Sequence, residues 1–221
     1  MRSTSLIHPV ALVVALLGIA TVVGASPIIY MESGTASGMI GGTAFSDVQV
    51  QVTVSGDTAN VVSGVIEGFA FFGNVSSATT VTIAGIGTAT VSDPSGIVSI
   101  PTPVSIDTGF PVLPYVAIGT LDSTLSFDSL TGIGVEGSNA LLGYDLKTSI
   151  GPITGSPGGI GYPTSLFFHT TLGDLSFTAN FSPTTVGTFT ATLVPEPTSL
   201  LLLGSGLALL AGRSRFRTRG C

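Results

Sequence analysis

Several residue types that support common chemistry are scarce in this chain of 221 residues. It has no tryptophan, two histidines and one cysteine, Cys221, which is the last residue. A lone terminal cysteine excludes a disulfide, a cysteine-based metal site and a cysteine nucleophile in the body of the chain. The body keeps one histidine, His169, and no Gly-x-Ser-x-Gly or His-Glu-x-x-His motif accompanies it. We therefore expect a structural role for His169, and no metal or cofactor.

Positive charge is nearly absent between the two ends of the chain. Arg2 stands at the start, and Lys147 is the only basic residue of the long middle region. All twelve acidic residues lie in that region, so twelve negative charges against one positive give a net charge of about −11. Such a surface repels phosphate backbones, which excludes nucleic acid as a partner.

The first 25 residues have the three parts of a secretory signal peptide. A basic start at Arg2 is followed by an apolar run over residues 10–23 and by small residues before a predicted cut between Ala25 and Ser26. A second candidate cut follows Ala20. The run is short for a spanning helix of about 20 residues, which disfavours the alternative of an uncleaved anchor. The pattern predicts export through the Sec translocon and cleavage by signal peptidase.

The C-terminal end combines a hydrophobic segment with a basic tail. Residues 198–212 are uncharged and mostly apolar, and Pro195 and Pro197 prevent a helix from extending back into the body. A helix of that length spans roughly 22 Å, and snorkelling arginines with local thinning compensate for a hydrocarbon core of about 30 Å. We predict a short transmembrane helix over about 198–212 with a basic cytoplasmic tail, by the positive-inside rule. The basic residues of this tail are Arg213, Arg215, Arg217 and Arg219.

The order of these C-terminal parts resembles a known sorting signal. A Val-Pro-Glu-Pro run at 194–197, a short hydrophobic helix and a terminal arginine cluster are similar to the PEP-CTERM signal of exported proteins of Gram-negative bacteria. The resemblance covers residues 194–221 and implies recognition of Pro195, Glu196 and Pro197 by an exosortase, a membrane-embedded peptidase. It implies a single-pass precursor in the inner membrane that later reaches the cell surface or the medium. The alternative is an ordinary membrane anchor with an accidental Pro-Glu-Pro.

Residues 26–193 have the periodicity of strands rather than of helices. In DVQVQVTVSGD, Val48, Val50, Val52 and Val54 alternate with polar residues, as in a half-buried strand that ends at a Gly-Asp turn. Turn signals recur about every ten residues, which is typical of an antiparallel β-sandwich. We predict one all-β domain of that class, jelly-roll or Ig-like. Further strands are predicted at TTVTIAG, GTATVSDPSG, STLSFDSL, DLSFTANF and GTFTATL.

Two glycine-rich segments are assigned to structure other than strands. SIGPITGSPGGIGYPTS at 149–165 is predicted to be a long surface loop, because glycine and proline are abundant in it. GIGVEG at 132–137 formally matches the dinucleotide fingerprint G-x-G-x-x-G, but no helical pattern follows it. We interpret its glycines as turn and bulge residues and expect no nucleotide site.

Carboxylates are the remaining candidates for chemistry. A glycoside hydrolase needs two of them about 5 to 10 Å apart. Asp122 and Asp128, six positions apart on one predicted strand, lie roughly 20 Å apart and are too distant to form such a pair. The glutamates of the body are Glu32, Glu67 and Glu136. Calcium ligands are offered by Asp93, Asp107 and Asp145, but no Asp-x-Asp-x-Asp loop is present, so we expect these to be solvated turn residues.

The body carries a resemblance of its own. SDVQVQVTVSGDTANVV, VTIAGIGTATVSDP and YDLKTSIGPITG are similar to segments of uncharacterised PEP-CTERM proteins. Together with the sorting signal and the missing catalytic set, this favours a structural or interaction protein of the cell surface or extracellular matrix. Exopolysaccharide is its candidate partner, in a biofilm.

Two alternative functions remain open. A carbohydrate-binding module needs tyrosines clustered on one exposed face. The tyrosines available are Tyr30, Tyr115, Tyr144 and Tyr162. A secreted hydrolase needs His169 or two carboxylates to meet in a pocket.

Overall fold

The computed structural model describes most of the body of the chain. The described residues are 25–66, 69–102, 104–105, 111–112, 114–121, 131–160, 166–178, 186–195 and 205–206. Within them the chain forms fifteen strands and two one-turn 3-10 helices, Thr58–Asn60 and Asn139–Leu141. The strands are β1 (Pro27–Ile40), β2 (Thr43–Asp57), β3 (Val62–Ile66), β4 (Phe69–Val75), β5 (Ala78–Ile83), β6 (Gly87–Thr90), β7 (Ser95–Ile100), β8 (Val104–Ser105), β9 (Pro111–Val112), β10 (Tyr115–Thr120), β11 (Thr131–Glu136), β12 (Ile150–Ile160), β13 (Leu166–Thr170), β14 (Gly173–Phe177) and β15 (Gly187–Leu193).

β1 and β2 form a long hairpin that follows the predicted alternation. The two strands join through Gly41 and Gly42, whose positive φ values of 53° and 84° are those of a tight turn. In β2 the side chains of Val50, Val52 and Val54 are buried, whereas the polar residues between them are partly exposed. The strand predicted at DVQVQVTVSGD is therefore confirmed.

All pairings between the described strands are antiparallel. The main sheet runs in the order β3-β4-β7-β10-β11-β12-β15-β1-β2-β5-β6, and the β13–β14 hairpin joins it where β14 pairs with the far end of β1. β8 and β9 form a separate pair. The prediction of an all-β antiparallel body is confirmed. The predicted strands at TTVTIAG, GTATVSDPSG and GTFTATL correspond to β5, β6 and β15.

β12 connects two groups of strands, and its position corrects a prediction. One group is β15, β1, β2, β5 and β6, and the other is β11, β10, β7, β4 and β3. Ile150 and residues 153–155 pair with β15, with an irregularity in register between Ile150 and Ile153, and residues 156–160 pair with β11. The prediction of a long surface loop over 149–165 is wrong for these residues. The prediction relied on glycine content, but glycine also occurs where two strands approach closely. A Cβ on Gly155 would lie 2.8 Å from Cγ1 of Val135 and even closer to the Glu136 carbonyl, so β11 and β12 need glycine at this position.

The segment GIGVEG is also mostly strand. Residues 131–136 form β11, and a Cβ on Gly134 would lie 2.9 Å from the Cβ of Ala117 on β10. The turn-and-bulge interpretation is therefore wrong for Gly134. It is confirmed for Gly137, whose φ of 84° follows directly after the strand.

Side chains from both groups of strands share one hydrophobic cluster. Ile28 of β1 and Val52 of β2 belong to it, together with Ile97 of β7 and Ile118 of β10. The aromatic ring of Phe177 on β14 makes edge-on contacts with two further phenylalanines at centroid distances of 6.2 Å. The inward face of β1 therefore belongs to a core that strands of both groups build.

Several predictions fall outside the described residues. They concern most of the signal peptide, the strand at STLSFDSL, Phe181 of DLSFTANF, and the tail beyond Pro195 apart from the helical residues Ser205 and Gly206. Of the helices formed by the described residues, none has the length and apolar character needed to cross a bilayer.

Gly134 tests the close contact between β10 and β11. Gly134→Ala places a methyl group against the Val116 carbonyl, so we expect the free energy of unfolding, measured by urea titration, to fall by about 1–3 kcal/mol. Gly34→Ala is the control, because its Cβ would be 3.8 Å from the nearest atom; we expect a change below about 1 kcal/mol. Equal effects of the two substitutions would contradict the packing described here.

Candidate sorting site

The last body strand leads directly into the predicted recognition residues. The amide of Leu193, at the end of β15, donates to Oγ of Ser149 at 2.9 Å. The Val194 amide donates to the Pro27 carbonyl at 2.8 Å. Pro195 is exposed and has no amide hydrogen. Within the described residues, the backbone hydrogen bonding of the sheet therefore ends at Val194.

The predicted signal cleavage site lies at the same end of the sheet. Because β1 and β15 are antiparallel, the start of β1 lies beside the end of β15. The Ser26 amide donates to Oγ1 of Thr58 at 3.0 Å, and the Thr58 amide donates back to the Ser26 carbonyl at 3.0 Å. Asp57 caps the adjoining 3-10 helix, since its Oδ1 accepts from an amide of that helix at 2.8 Å. The fold thus brings Ala25 and Ser26 to the same end of the sheet as Pro195.

A turn at residues 145–149 lies at the same end of the sheet, on the side of β15 opposite to β1. Oδ1 of Asp145 accepts from the Lys147 amide at 3.0 Å, and Ser149 contacts the end of β15 as described above. Lys147, the one basic residue of the middle region, is exposed here. We call residues 26–27, 57–60, 145–149 and 194–195 the exit rim.

A buried hydrogen-bond network lies beneath the exit rim. The Tyr30 hydroxyl donates to the Leu146 carbonyl at 2.6 Å and accepts from Nδ2 of Asn74 at 2.9 Å. Asn74 also donates to the Asp57 carbonyl at 3.1 Å. Burial raises the pKa of Tyr30 to about 12, so the hydroxyl keeps its proton at neutral pH. The network therefore joins β1 and β4 to two segments of the exit rim.

The sequence did not predict this network, although one signal was available. Ile28 and Tyr30 alternate in period 2 with the more exposed Ile29, which places Tyr30 on the inward face. The hydrogen bonds themselves depend on tertiary contacts, since Tyr30 and Leu146 are 116 positions apart.

The structure describes only part of the predicted sorting signal. Pro195 is placed, at the exposed end of the described chain before the tail. Glu196 and Pro197 lie outside the described residues, as do Arg213, Arg215, Arg217 and Arg219.

Comparison with known proteins bears on this same segment. Residues 193–215 match the family model of the PEP-CTERM protein-sorting motif. No curated protein and no solved structure matches the chain. The motif indicates a protein that is made as a membrane-anchored precursor and sorted by an exosortase to the outside of the cell. The resemblance seen in residues 194–221 is confirmed, whereas the resemblance of the body to uncharacterised PEP-CTERM proteins stays a prediction.

His169 lies on the surface between two acidic side chains. It belongs to β13, as expected of a strand residue, and 66% of its side chain is exposed. Its Nδ1 is 2.9 Å from Oδ1 of Asp93, and its backbone amide donates to Oδ2 of Asp93 at 2.8 Å. Asp174, its cross-strand partner, is 3.9 Å from Nε2. Asp93, a calcium candidate, thus serves as a hydrogen-bond partner, and no group of three metal-ligating side chains occurs among the described residues.

The acidic neighbours of His169 also raise its pKa. The hydrogen bond and charge of Asp93 raise the pKa of His169 above 6.5, and Asp174 adds a smaller effect. Because the folded value is the higher one, stabilisation by the charged imidazole is present below pH 6.5. It is lost as the pH rises through the raised value.

Glu32, one of the glutamates named as candidates for chemistry, is buried. Its side chain lies on the inward face of β1, and it lines a cavity of about 30 Å³ with Ile133 and Val135 of β11. Neither carboxyl oxygen has a hydrogen-bond partner among the described residues. Burial raises the pKa of Glu32 well above its usual range. The nearby backbone of Ile118 lowers the pKa by a smaller amount, although its amide does not reach hydrogen-bonding geometry with either carboxyl oxygen. The cavity has room for about two water molecules, so Glu32 does not face a space of substrate size.

The tyrosines do not form an exposed platform in the described part of the chain. Tyr30 and Tyr144 are buried, and Tyr115 is half-buried. Tyr144 packs edge-on against Phe189 at a centroid distance of 5.8 Å. Tyr162 lies outside the described residues, as do Glu67, Asp107, Asp122 and Asp128. The three described tyrosines therefore do not meet the requirement of a carbohydrate-binding module.

Tyr30→Phe tests the network beneath the exit rim. The change leaves the buried Leu146 carbonyl without its hydrogen bond, so we expect the free energy of unfolding to fall by about 1–3 kcal/mol in urea titrations. Tyr115→Phe is the matched control, since Tyr115 is also partly buried but its hydroxyl has no hydrogen bond to the described residues. A loss as large in the control as in Tyr30→Phe would count against the network.

Glu32 predicts an unusual dependence of stability on pH. Above its ordinary pKa of 4.5 the unfolded state releases a proton that the folded state keeps, so the free energy of unfolding falls as the pH rises. We expect this contribution to appear as the pH rises above 4.5, where the carboxyl of the unfolded chain ionises. Glu32→Leu and Glu32→Gln should both remove it in urea titrations at several pH values. An unchanged slope in both variants would show that Glu32 is ionised in the fold.

Proposed function

We propose that this chain is a structural or interaction protein of the cell surface or extracellular matrix, delivered there by an exosortase. The observation that carries this proposal is the sorting-motif match over residues 193–215, which begins on the last residue of β15. The folded body is thereby joined to the signal without an intervening domain. Exopolysaccharide is the candidate partner, and its recognition would fall to the exposed polar faces of the strands.

The proposed route uses two processing steps at one end of the body. Sec export and signal peptidase would leave Ser26 as the new N-terminus, and a helix over about 198–212 would hold the precursor in the inner membrane with its arginines in the cytoplasm. In support, Ala25 and Pro195 are both exposed and lie at the same end of the sheet. The exposure of these two residues supports processing of the folded body by both enzymes.

We propose a role without catalysis for the body. In support, the His169 side chain projects from the surface and binds Asp93, and the buried Glu32 faces a cavity for about two water molecules. Neither arrangement offers a substrate pocket with a nucleophile. The secreted hydrolase is the alternative, and hydrolysis of a polysaccharide by the purified body would favour it. The carbohydrate-binding module needs a contact surface other than Tyr30 and Tyr144, which are buried.

We further propose that the two groups of strands stack face to face as a sandwich. The shared hydrophobic cluster supports this arrangement, since it unites Val52 and Val54 of one group with Ile97 and Ile118 of the other. The hydrogen bond from Asn74 of β4 to Tyr30 of β1 also joins the groups. Jelly-roll and Ig-like connectivity both remain open.

Alanine substitution of the recognition residues tests the sorting function. In a host with the exosortase, replacing Pro195, Glu196 and Pro197 by alanine should leave most of the protein in the inner-membrane fraction, whereas the wild-type protein is released. Gln49→Ala, an exposed change on β2, is the control and should be released normally. Fractionation followed by immunoblotting measures the outcome. Normal release of the triple variant would contradict the proposed function.

A further inference from the structure

The sorting motif is fixed to the sheet at its first two residues. The matched segment starts at Leu193, which pairs with Ile28 and also donates its amide to Ser149. The Val194 amide donates to the Pro27 carbonyl at 2.8 Å. The motif is therefore not a free tail, because its start has the position and direction of a sheet strand.

The exit rim surrounds the point at which the motif leaves the sheet. β1 lies between β2 and β15, so Pro27 separates Asp57 from Val194. On the other side of Val194 lies the turn at 145–149, held to β15 through Ser149. Residues that are far apart in sequence thus form one surface around the start of the motif.

The length of the chain between the exit rim and the predicted hydrophobic segment limits the distance between the body and the bilayer. Three residues lie between Val194 and Thr198, where the predicted hydrophobic segment begins. The four Cα-to-Cα steps from Val194 to Thr198 span about 14 Å when the chain is fully extended. This step rests on the proposed function, in which the segment after Thr198 is membrane-inserted. The exit rim would then face the bilayer surface at the depth where a membrane-embedded peptidase receives its substrate.

The surface chemistry of the rim suits a polar protein contact. Ala59, Asn60, Lys147 and Ser149 are exposed on it. The Asp57 and Asp145 side chains are engaged with neighbouring backbone amides, so the short turns are held in fixed conformations. The buried Tyr30 and Asn74 hydrogen bonds support the same turns from beneath. A preformed surface of this kind loses little conformational entropy on binding.

We propose that the exit rim is a docking surface for the exosortase, which recognises the motif as the folded body presents it. The rim contributes binding and orientation, and Pro195 with its following residues enters the peptidase. The exosortase then recognises the body together with the motif. A motif joined to the body by a long flexible tether is therefore processed more slowly than the native one.

A tether insertion tests this docking surface in the full-length chain. Eight Gly and Ser residues followed by a second copy of residues 193–194 are inserted after Val194, so that both the body and the matched segment stay whole. The free connection grows from about four to about fourteen Cα-to-Cα steps, and effective concentration falls with roughly the −3/2 power of length. We expect the rate of precursor processing, followed by pulse-chase in a host with the exosortase, to fall about sixfold.

A second insertion is the matched control. Ten Gly and Ser residues are placed at Gly85, in the turn at the far end of β5 from the rim, where the position faces open space. This variant should be processed at the wild-type rate. Processing of the tether variant at the wild-type rate, or equal slowing of both variants, would overturn the docking surface.

The alanine variant at Pro195, Glu196 and Pro197 is measured in the same host, so that two failures can be told apart. If it is retained while the tether variant is processed normally, the sorting function stands and the docking surface is wrong. If the alanine variant is processed normally, the sorting function itself is wrong.

Discussion

The backbone pairing of β1 on both of its edges is the interaction on which the rest of the structure depends. β2 pairs along one edge, while β15 and then β14 pair along the other. The side chains of Ile28 and Tyr30, on the inward face of β1, are buried in the core. β1 is also the first strand after the predicted signal cleavage site. Because β15 is the last of the described strands and lies between β1 and β12, the sheet is complete only when the chain up to Leu193 is present.

This arrangement places the predicted signal cleavage site and the start of the sorting motif at one end of the sheet. The antiparallel pairing of β1 and β15 brings the two predicted processing sites together, although they are separated by about the whole body in sequence. The buried hydrogen bonds of Tyr30 and Asn74 tie the neighbouring turns to the same strands. A sorting signal at the chain end thus receives its position from residues near the chain start.

Sequence patterns predicted local features well and long-range ones poorly. The alternation around Val50 and Val52 predicted β2, and the order of parts in 194–221 predicted the sorting motif, because both signals lie within short segments. The strand at Gly155 was missed, since glycine marks loops and close strand contacts alike. The surroundings of Glu32 and the surface around Val194 come from strands that are distant in sequence. They depend on pairing order, which no local pattern contains.

The intact mass of the exported protein, from hosts with and without the exosortase, tests the central claim most directly. The account predicts that the mature chain begins near Ser26 and, only when the exosortase is present, ends beyond Val194. A cut beyond Val194 leaves every described backbone bond of β15 in place. An unchanged C-terminus in both hosts would contradict exosortase sorting, and a cut within β15 would contradict the position that the sheet gives to the motif.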